Sequence, residues 1–285
     1  MTIAVTAATG HLGRLVVEAL LRTVPASELV AVVRDADKAA DLAARGVAVR
    51  VADYNDSASL EAAFDGVDRL LLISGTDVGS RARQHAVVID AAAKMGVSLL
   101  AYTSVLRASE ESLNPVAAEH VATEAHLRAS GVPFVLLRNG WYLENYTAQI
   151  AGALQHGFAG SAGEGKIAAA ARADFAAAAV AALTLPGQAG KVYELAGDVP
   201  FTMAQLAAEV AKQSGKPVAY ANLPPEAFKG VLLSVGLPGP FADILVDADV
   251  NIVKGELDDQ SGELRKLIGR PTTTLAAAVA AALPR

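Results

Sequence analysis

The chain has 285 residues, of which 53% are hydrophobic, and its net charge is −6 at pH 7. This modest negative charge, on a chain with no run of Lys or Arg, offers little to bind the phosphates of nucleic acid or anionic lipid, so we expect neither partner. The chain has no cysteine, which excludes disulfides and thiolate metal ligands, and its five histidines lack the spacing of a zinc site, so we expect no metal.

Nothing in the sequence predicts secretion or a membrane span. Residues 1–5 (MTIAV) lack the basic start of a secretory signal and instead resemble a first strand. Two alanine-rich segments, 168–183 and 275–283, are apolar, but the first contains Arg172 and Asp174 and the second is too short to span a bilayer. We expect a soluble, cytoplasmic protein.

Short apolar runs alternate with helical segments over about the first 138 residues. The runs are 3–6, 29–33, 47–51, 69–73, 99–103 and 134–137. Most are apolar at consecutive positions, as expected for parallel strands that helices cover on both faces. This pattern predicts an α/β fold, a doubly wound parallel sheet of the Rossmann type, over residues 1–150.

The alternation weakens beyond Trp141. Turn-rich segments there, such as 157–165 (GFAGSAGEG) and 237–240 (LPGP), predict a smaller α+β lobe over residues 151–285. We expect this lobe to bind the substrate, and we expect the chain to return to the Rossmann sheet near residues 166–195.

A glycine-containing loop joins the first strand to the first helix. Its sequence is TAATGHLG, residues 6–13. The amide groups and partial positive charge at the start of a helix favour a pyrophosphate, Gly10 permits close backbone approach, and Gly13 permits tight packing of the helix. The expected dinucleotide contacts are Thr6, Ala8, Thr9, Gly10, His11, Leu12 and Gly13.

Ala7 stands where such loops usually carry their first glycine. In a left-handed backbone its Cβ would cost about 1–2 kcal/mol, which is about tenfold in affinity if all of it opposes binding. In an extended backbone it would cost little. We expect the loop still to bind a nucleotide in either case, with lower affinity in the first.

The end of the second strand indicates which nucleotide binds. Arg34 falls there, and a guanidinium suits the 2′-phosphate of NADPH, with Lys38 adding charge one turn later. Asp35 keeps NADH open, because a shift of one residue would place a carboxylate against the ribose.

Further polar residues follow the third and fourth strands, where ligands bind in this architecture. Asp53 is equally suited to cap the next helix. The residues expected to frame the adenine and its ribose are Asp53, Tyr54, Ile73, Ser74 and Gly75.

Several motifs together resemble one family. They are TAATGHLG (6–13), LLLISG (70–75), AYTS (101–104), LLRNGWYLENY (136–146), GKVYELAGD (190–198) and KLIGRPTTTL (266–275). Through them the chain resembles the NmrA-like, atypical branch of the short-chain dehydrogenase/reductase superfamily, nearly end to end. The resemblance implies NADPH binding and a substrate cleft beside the C-terminal lobe, and Ala7 is a departure from it.

The resemblance also implies a redox reaction. Ordinary short-chain dehydrogenases use a Tyr-x-x-x-Lys pair to protonate an alkoxide. This chain has HVATE, residues 120–124, in that place. Hydride addition to a quinone yields a delocalised phenolate that is a weaker base, so a quinone or similar planar aromatic acceptor fits. We expect His120 to donate a proton to the acceptor oxygen or to polarise it.

The ends of strands five and six supply the remaining candidates. We expect Tyr142 and Asn139 to join His120 in catalysis, and a flat acceptor to stack on the nicotinamide. The residues expected to face the substrate are Thr103 and Ser104, which we also expect to contact the cofactor, with Asn139, Gly140, Trp141, Tyr142 and Asn145.

Two other functions stay open. NmrA-like proteins include nonenzymatic redox sensors that bind a dinucleotide and a protein partner, and the missing Tyr/Lys pair suits that role. A tailoring reductase or oxygenase for a polycyclic aromatic natural product is the other. A homodimer is compatible with the sequence.

Overall fold

The computed structural model describes residues 1–112, 114 and 116–284, which form two compact units. Unit 1 comprises Met1–Glu110, Ala118–Asn139 and Arg172–Leu195, and unit 2 comprises Glu111–Ala117, Gly140–Ala171 and Ala196–Arg285. The chain thus leaves unit 1 after residue 139, where a strand ends, instead of near residue 150.

In the described residues, strands and helices alternate up to β6, and several helices follow one another in the C-terminal part. The strands are β1 (Ile3–Val5), β2 (Leu29–Val33), β3 (Ala48–Val51), β4 (Arg69–Leu72), β5 (Leu99–Val105), β6 (Phe134–Asn139), β7 (Phe158–Gly160), β8 (Val192–Leu195) and β9 (Tyr220–Asn222). The α-helices are α1 (His11–Leu20), α2 (Ala40–Ala44), α3 (Ser57–Phe64), α4 (Arg81–Lys94), α5 (Ala117–Ala129), α6 (Leu143–Thr147), α7 (Ile150–His156), α8 (Arg172–Thr184), α9 (Met203–Ser214), α10 (Pro225–Ser234), α11 (Gly239–Val253), α12 (Glu263–Ile268) and α13 (Leu275–Ala282).

Unit 1 is a seven-stranded parallel sheet in the order β3-β2-β1-β4-β5-β6-β8. The predicted Rossmann fold is confirmed, and each of the six predicted strands is present with ends that agree to within about two residues. Strands β2 and β5 are buried along their whole length, as the unbroken apolar run of β2 predicts.

The strand order reverses between β1 and β4: β1 is followed by β2 towards one edge of the sheet, and β4 by β5 towards the other edge. Ligands in open parallel sheets bind beyond the carboxyl ends of the strands at such a reversal. Helix α1 begins beside this point and is anchored by its apolar face, because Leu12, Val16 and Leu20 are buried. The fold thus places the start of α1 at the expected ligand position.

Unit 2 contains the remaining helices and a short parallel pair, β7 and β9. The GFAGSAGEG segment is held by hydrogen bonds within this unit: Asp249 Oδ2 accepts from the Ser161 amide at 2.7 Å, and Tyr220 Oη accepts from the Ala162 amide at 3.0 Å. A Cβ at Gly160 would lie 2.7 Å from Asp249 Oδ2. The absence of a side chain at Gly160 therefore leaves space for the Asp249 carboxylate that binds the Ser161 amide.

The C-terminal motifs also have a structural role in unit 2. The Asp198 amide donates to Thr272 Oγ1 at 2.9 Å, and the Thr272 amide donates to Asp198 Oδ2 at 3.0 Å. This reciprocal pair joins GKVYELAGD to KLIGRPTTTL. Over the described residues, no helix has the length and apolar character needed to cross a membrane.

Candidate functional site

The loop between β1 and α1 presents unpaired amides. Gly10 precedes α1 with an extended backbone, and no side chain caps the helix. The first amides of an α-helix have no partner within the helix, so those of α1 are available to a ligand. The first turn also carries no acidic residue that would repel an anion.

Gly13 is the position at which this loop admits no side chain. A Cβ built there would lie 2.2 Å from the Ala7 carbonyl oxygen and 2.9 Å from the Ala8 Cα. A Cβ at Gly10 would lie 3.2 Å from the same oxygen, which is tight but not prohibitive. The expected role of Gly13, close packing of the helix on the loop, therefore has a direct geometric cause.

Ala7 has a left-handed backbone, with φ of 48°. Of the two geometries considered from the sequence, the structure has the costly one. The Gly10 amide donates to the Ala7 carbonyl oxygen at 2.9 Å, and Gly13 packs against that oxygen, so the fold itself fixes this conformation. The penalty of about 1–2 kcal/mol therefore falls on folding and not on nucleotide binding.

We expect Ala7→Gly to stabilise the protein by up to about 1 kcal/mol, because the relief of strain exceeds the entropy that glycine adds to the unfolded chain. Urea unfolding followed by circular dichroism measures this. The matched control is Ala8→Gly, because Ala8 is fully buried and has a negative φ, so glycine there should destabilise. A loss of stability in both variants would contradict the strain at residue 7.

A cavity of about 360 Å³ lies at this edge of unit 1. Its walls come from the loop, from the carboxyl end of β2, from the residues that follow β2, β3 and β4, and from α4. They are Ala7, Thr9, Gly10, Val32, Val33, Arg34, Asp35, Lys38, Ala52, Asp53, Tyr54, Asn55, Ser74, Gly75, Thr76, Asp77 and Gln84. Half of the predicted cofactor contacts, eight of sixteen, thus share one cavity.

Arg34 and Asp35 have different surroundings at the end of β2. Arg34 directly follows the strand and is exposed in the cavity wall. The carboxylate of Asp35 contacts the residues that follow it in the chain. Its Oδ1 accepts a hydrogen bond from the Asp37 amide at 3.1 Å, and its Oδ2 lies 3.7 Å from Lys38 Nζ. This arrangement favours a phosphate-binding guanidinium over a ribose-binding carboxylate.

Asp53 is a charged part of the cavity wall and not a helix cap. Its Oδ1 accepts from the backbone amide and the side-chain Nδ2 of Asn55, both at 2.7 Å. These bonds lower the pKa of Asp53, and the bond from the Asn55 backbone amide has the largest effect. The positive charge of the nearby Arg34 lowers this pKa further. The cap of α3 is Asp56, which accepts from the amides of Ala58 and Ser59. The capping alternative for Asp53 is therefore wrong.

A buried hydrogen-bond cluster supports the loop from below. Tyr54 Oη lies 2.5 Å from Thr6 Oγ1 and donates to the Ile73 carbonyl oxygen at 2.9 Å, and the Ile73 amide donates to Thr6 Oγ1 at 3.0 Å. Burial raises the pKa of Tyr54. Thr6 and Ala8 are both 0% exposed, so direct contact of their side chains with a nucleotide is a wrong prediction. They position the loop instead.

The other loop residues differ in their exposure. Leu12 and Gly13 are buried, so a ligand would meet only their backbone. His11 is exposed and lies outside the cavity wall, whereas Thr9 and Gly10 line it. The expected phosphate contacts are therefore mainly backbone groups.

The wall after β4 is held from two sides. The Ser74 amide donates to Thr103 Oγ1 at 2.9 Å, so buried Thr103 supports this wall. Gly75 is bound by Arg81 and His85 of α4. Neither Arg81 nor His85 was predicted from the sequence, where their signal is a four-residue spacing within a helix.

His120 lies in α5, almost fully buried, with Nδ1 2.7 Å from the Tyr102 hydroxyl. Burial, with a smaller contribution from Arg81, lowers the pKa of His120 to about 3. Burial raises the pKa of Tyr102, which keeps its proton. His120 is therefore neutral at pH 7, so it is not an imidazolium acid, and polarisation of an acceptor by an N–H group is the role that stays available.

Ser104 belongs to a buried ion-pair network. Its hydroxyl donates to Glu124 Oε1 at 2.6 Å, and Arg138 donates to both Glu124 oxygens at 2.9 and 2.7 Å and to Glu194 at 2.8 Å. The expectation that the Ser104 hydroxyl faces a substrate is wrong, because Glu124 holds it inside unit 1.

The remaining candidates lie in both units. Asn139 ends β6 in unit 1, is 7% exposed, and among the described residues its Oδ1 has no hydrogen-bond partner. Trp141 is half-buried in unit 2, with its ring 6.4 Å from that of Tyr146. The unit 2 candidates are Gly140, Trp141, Tyr142 and Asn145. Their joint role with His120 in one site stays a prediction.

Comparison with known proteins identifies the class. A model of the NmrA-like family matches residues 1–250, so the chain belongs to the NmrA-like family, as the motifs indicated.

Particular relatives are also similar over nearly the whole chain. Quinone oxidoreductase 2 of Escherichia coli (strain K12) is 56% identical over 278 residues, which is 97% of each chain. The crystal structure of the Escherichia coli NADPH-dependent quinone oxidoreductase with NADPH aligns with a TM-score of 0.95 at 55% identity, covering 98% of this chain and 99% of that one. The Citrobacter sp. triphenylmethane reductase with NADP(H) aligns with a TM-score of 0.94 at 40% identity, covering 99% and 100%.

Proposed function

We propose that this protein is an NADPH-dependent oxidoreductase that reduces a quinone or a similar planar aromatic compound. The observation that carries the proposal is the 56% identity to Escherichia coli quinone oxidoreductase 2 over nearly the full length of both chains. The cavity at the reversal of the strand order supports it independently, because its walls combine unpaired helix amides with two cationic side chains.

The residues of the cavity fit NADPH. The amides at the start of α1 suit the paired phosphates, and Gly13 lets the helix pack closely on the loop that presents them. Arg34 and Lys38 suit the 2′-phosphate, since a guanidinium binds phosphate oxygens through two parallel N–H groups. When bound, NADPH supplies the hydride. NADH lacks the 2′-phosphate and is expected to bind less tightly.

His120 has the properties of a neutral hydrogen-bond donor to the acceptor oxygen. The Tyr102 hydroxyl is the donor to His120 Nδ1 in this proposal, which leaves the proton of the imidazole on Nε2. Such an N–H stabilises the negative charge that develops on a quinone oxygen, and solvent then completes protonation.

Turnover is tested by following NADPH oxidation at 340 nm with a series of benzoquinones and naphthoquinones. The proposal requires saturable turnover with at least some of these acceptors, under air and under nitrogen alike. Tight NADPH binding with no turnover across the series would overturn it in favour of a redox sensor. Oxygen consumption that depends on an aromatic acceptor would indicate an oxygenase.

We expect His120→Ala to lower kcat roughly 100-fold, because it removes one donor to a developing oxyanion, and to change the NADPH dissociation constant by less than about threefold. The matched control is His126→Ala, since His126 lies on the same helix but pairs with Asp90 at the surface. Stopped-flow turnover and fluorescence titration measure the two constants. Equal kcat values for both variants would exclude His120 from the reaction.

A cytoplasmic location and a homodimer stay predictions. Light scattering coupled to gel filtration gives the mass of the protein in solution. A mass near 29 kDa would contradict the dimer, since the chain itself is 29.1 kDa.

A further inference from the structure

Both backbone polar groups of Gly75 are bound by side chains of one helix. Arg81 Nε donates to the Gly75 carbonyl oxygen at 2.8 Å, and the Gly75 amide donates to His85 Nε2 at 3.0 Å. Arg81 and His85 are four residues apart in α4, so they project from one face of the helix. Because Gly75 lines the nucleotide cavity, this pair, the Gly75 clamp, holds a cavity wall.

The hydrogen bonds define where His85 carries its proton. A backbone N–H only donates, so the Nε2 atom that faces Gly75 has no proton, and a neutral imidazole then carries it on Nδ1. Nδ1 lies 3.0 Å from Thr123 Oγ1, whose hydroxyl donates to the Glu119 carbonyl oxygen at 2.7 Å. The three hydrogen bonds form a chain that runs from the Gly75 amide through His85 and Thr123 to the Glu119 carbonyl oxygen, and each donor in it has one acceptor.

The surroundings of His85 keep the ring neutral. The side chain is 0% exposed, and the rings of Tyr54 and Tyr102 lie edge-on with centroids 6.3 and 5.3 Å away. Burial, then His120 and Arg81, lower the pKa of His85 to about 3. A second proton on the ring would bind to Nε2, so that two N–H donors, those of His85 and of the Gly75 amide, would face each other. The clamp is therefore closed throughout the physiological pH range.

The other half of the clamp has its own support in α5. Arg81 is 7% exposed, and its Nη1 lies 3.5 Å from Glu119 Oε2. Glu119 Oε1 accepts from the amides of Gly79 and Arg81 at 2.9 and 3.1 Å. One carboxylate thus balances the guanidinium and holds the turn that precedes α4.

We propose that His85 is a positioning residue for nucleotide binding, and that its unprotonated Nε2 holds the Gly75 amide and so sets the Ser74–Gly75 wall of the cavity. The proposal rests on the proposed function only in taking NADPH as the nucleotide. It involves no chemical step at His85, because the ring is walled off from the cavity by the residues that it holds.

The proton position is tested without any ligand. Long-range ¹H–¹⁵N spectra of the protein labelled with ¹⁵N-histidine at pH 7 report the protonation of each ring nitrogen, and His85→Gln assigns the signals. We expect a protonated Nδ1 and an unprotonated Nε2 for His85, the reverse of the tautomer that free histidine favours. A proton on Nε2, or a charged ring, would overturn the proposal.

Nucleotide affinity provides the second test. His85→Leu removes the acceptor at similar volume and leaves the Gly75 amide unsatisfied, so we expect the NADPH dissociation constant to rise about tenfold or more. His85→Gln places an amide oxygen near the position of Nε2, so we expect a change of less than about threefold. Fluorescence titration measures both, with His126→Leu as the surface control.

The outcomes separate this inference from the proposed function. Equal loss of affinity in folded His85→Leu and His85→Gln would overturn the positioning role, whatever the turnover. If wild type binds NADPH but reduces no quinone, the proposed reaction fails and the clamp stands. If His85→Leu does not fold, the spectra of the wild-type protein still decide the proton position.

Discussion

Replacing Gly13 with alanine is expected to weaken NADPH binding by at least about 100-fold. The added Cβ would lie 2.2 Å from the Ala7 carbonyl oxygen, so α1 would have to move away from the loop whose amides face the phosphates. Overpacking against backbone costs about 1–3 kcal/mol, and displaced amides lose their charge-assisted hydrogen bonds in addition. Isothermal titration calorimetry with NADPH measures the loss.

The matched control for this change is Gly10→Ala in the same loop. Its Cβ would lie 3.2 Å from the same oxygen, and Gly10 has an extended backbone that alanine also adopts, so we expect a loss of no more than about tenfold. Thermal unfolding of both variants shows whether unit 1 stays folded. An equal loss at both positions, in folded proteins, would argue against close packing at Gly13 as the cause.

Arg34→Ala is expected to raise the NADPH dissociation constant about 10- to 100-fold and to leave that of NADH nearly unchanged. Hydrogen bonds to a charged group contribute about 1.5–3 kcal/mol, and only NADPH has the 2′-phosphate that would receive them. The effect should shrink as salt is added, because Arg34 is exposed. Titrations with both nucleotides at two ionic strengths measure this.

Arg22→Ala is the control for Arg34, because Arg22 is also an exposed arginine of unit 1 but lies outside the cavity wall. It should change neither dissociation constant. A parallel loss of NADPH and NADH affinity in Arg34→Ala would show that Arg34 contacts a part common to both nucleotides, such as the adenine. In that case the preference for NADPH would have to come from Lys38.

The fold was predictable because the parallel strands carry their own signature. Runs such as 29–33 and 70–73 are apolar at successive positions, as expected for a strand that helices cover on both faces. The same alternation located the ends of the strands, and Arg34 was found from its position after β2.

The roles of some residues in the candidate site were less predictable, because they depend on whether the residue is buried or on where a helix begins. Thr6 and Ala8 belong to the loop motif, but the packing of β1 between its neighbours removes them from the surface. Asp53 and Asp56 are equally suited by residue type to cap a helix. Asp56 is the cap because α3 begins at the next residue, Ser57. The burial of Thr6 and Ala8 depends on strands that lie far away in the chain, whereas the cap of α3 depends on the residue at which that helix begins.

Arg81 and His85 were missed for a related reason. In the sequence they are polar residues of a helix, which usually point to solvent. They are buried because α5, which lies well downstream in the chain, supplies Glu119 and Thr123 as partners. The pattern of polar residues within α4 therefore does not predict that Arg81 and His85 have these partners.

The alanine at position 7 has a consequence for how such proteins are recognised. A left-handed alanine persists there because its neighbours dictate the turn, so a glycine at this position would add stability but is not required for the loop to form. Pattern searches that insist on that glycine would pass over enzymes of this kind. Gly13, whose replacement the surrounding atoms forbid, is the more dependable marker.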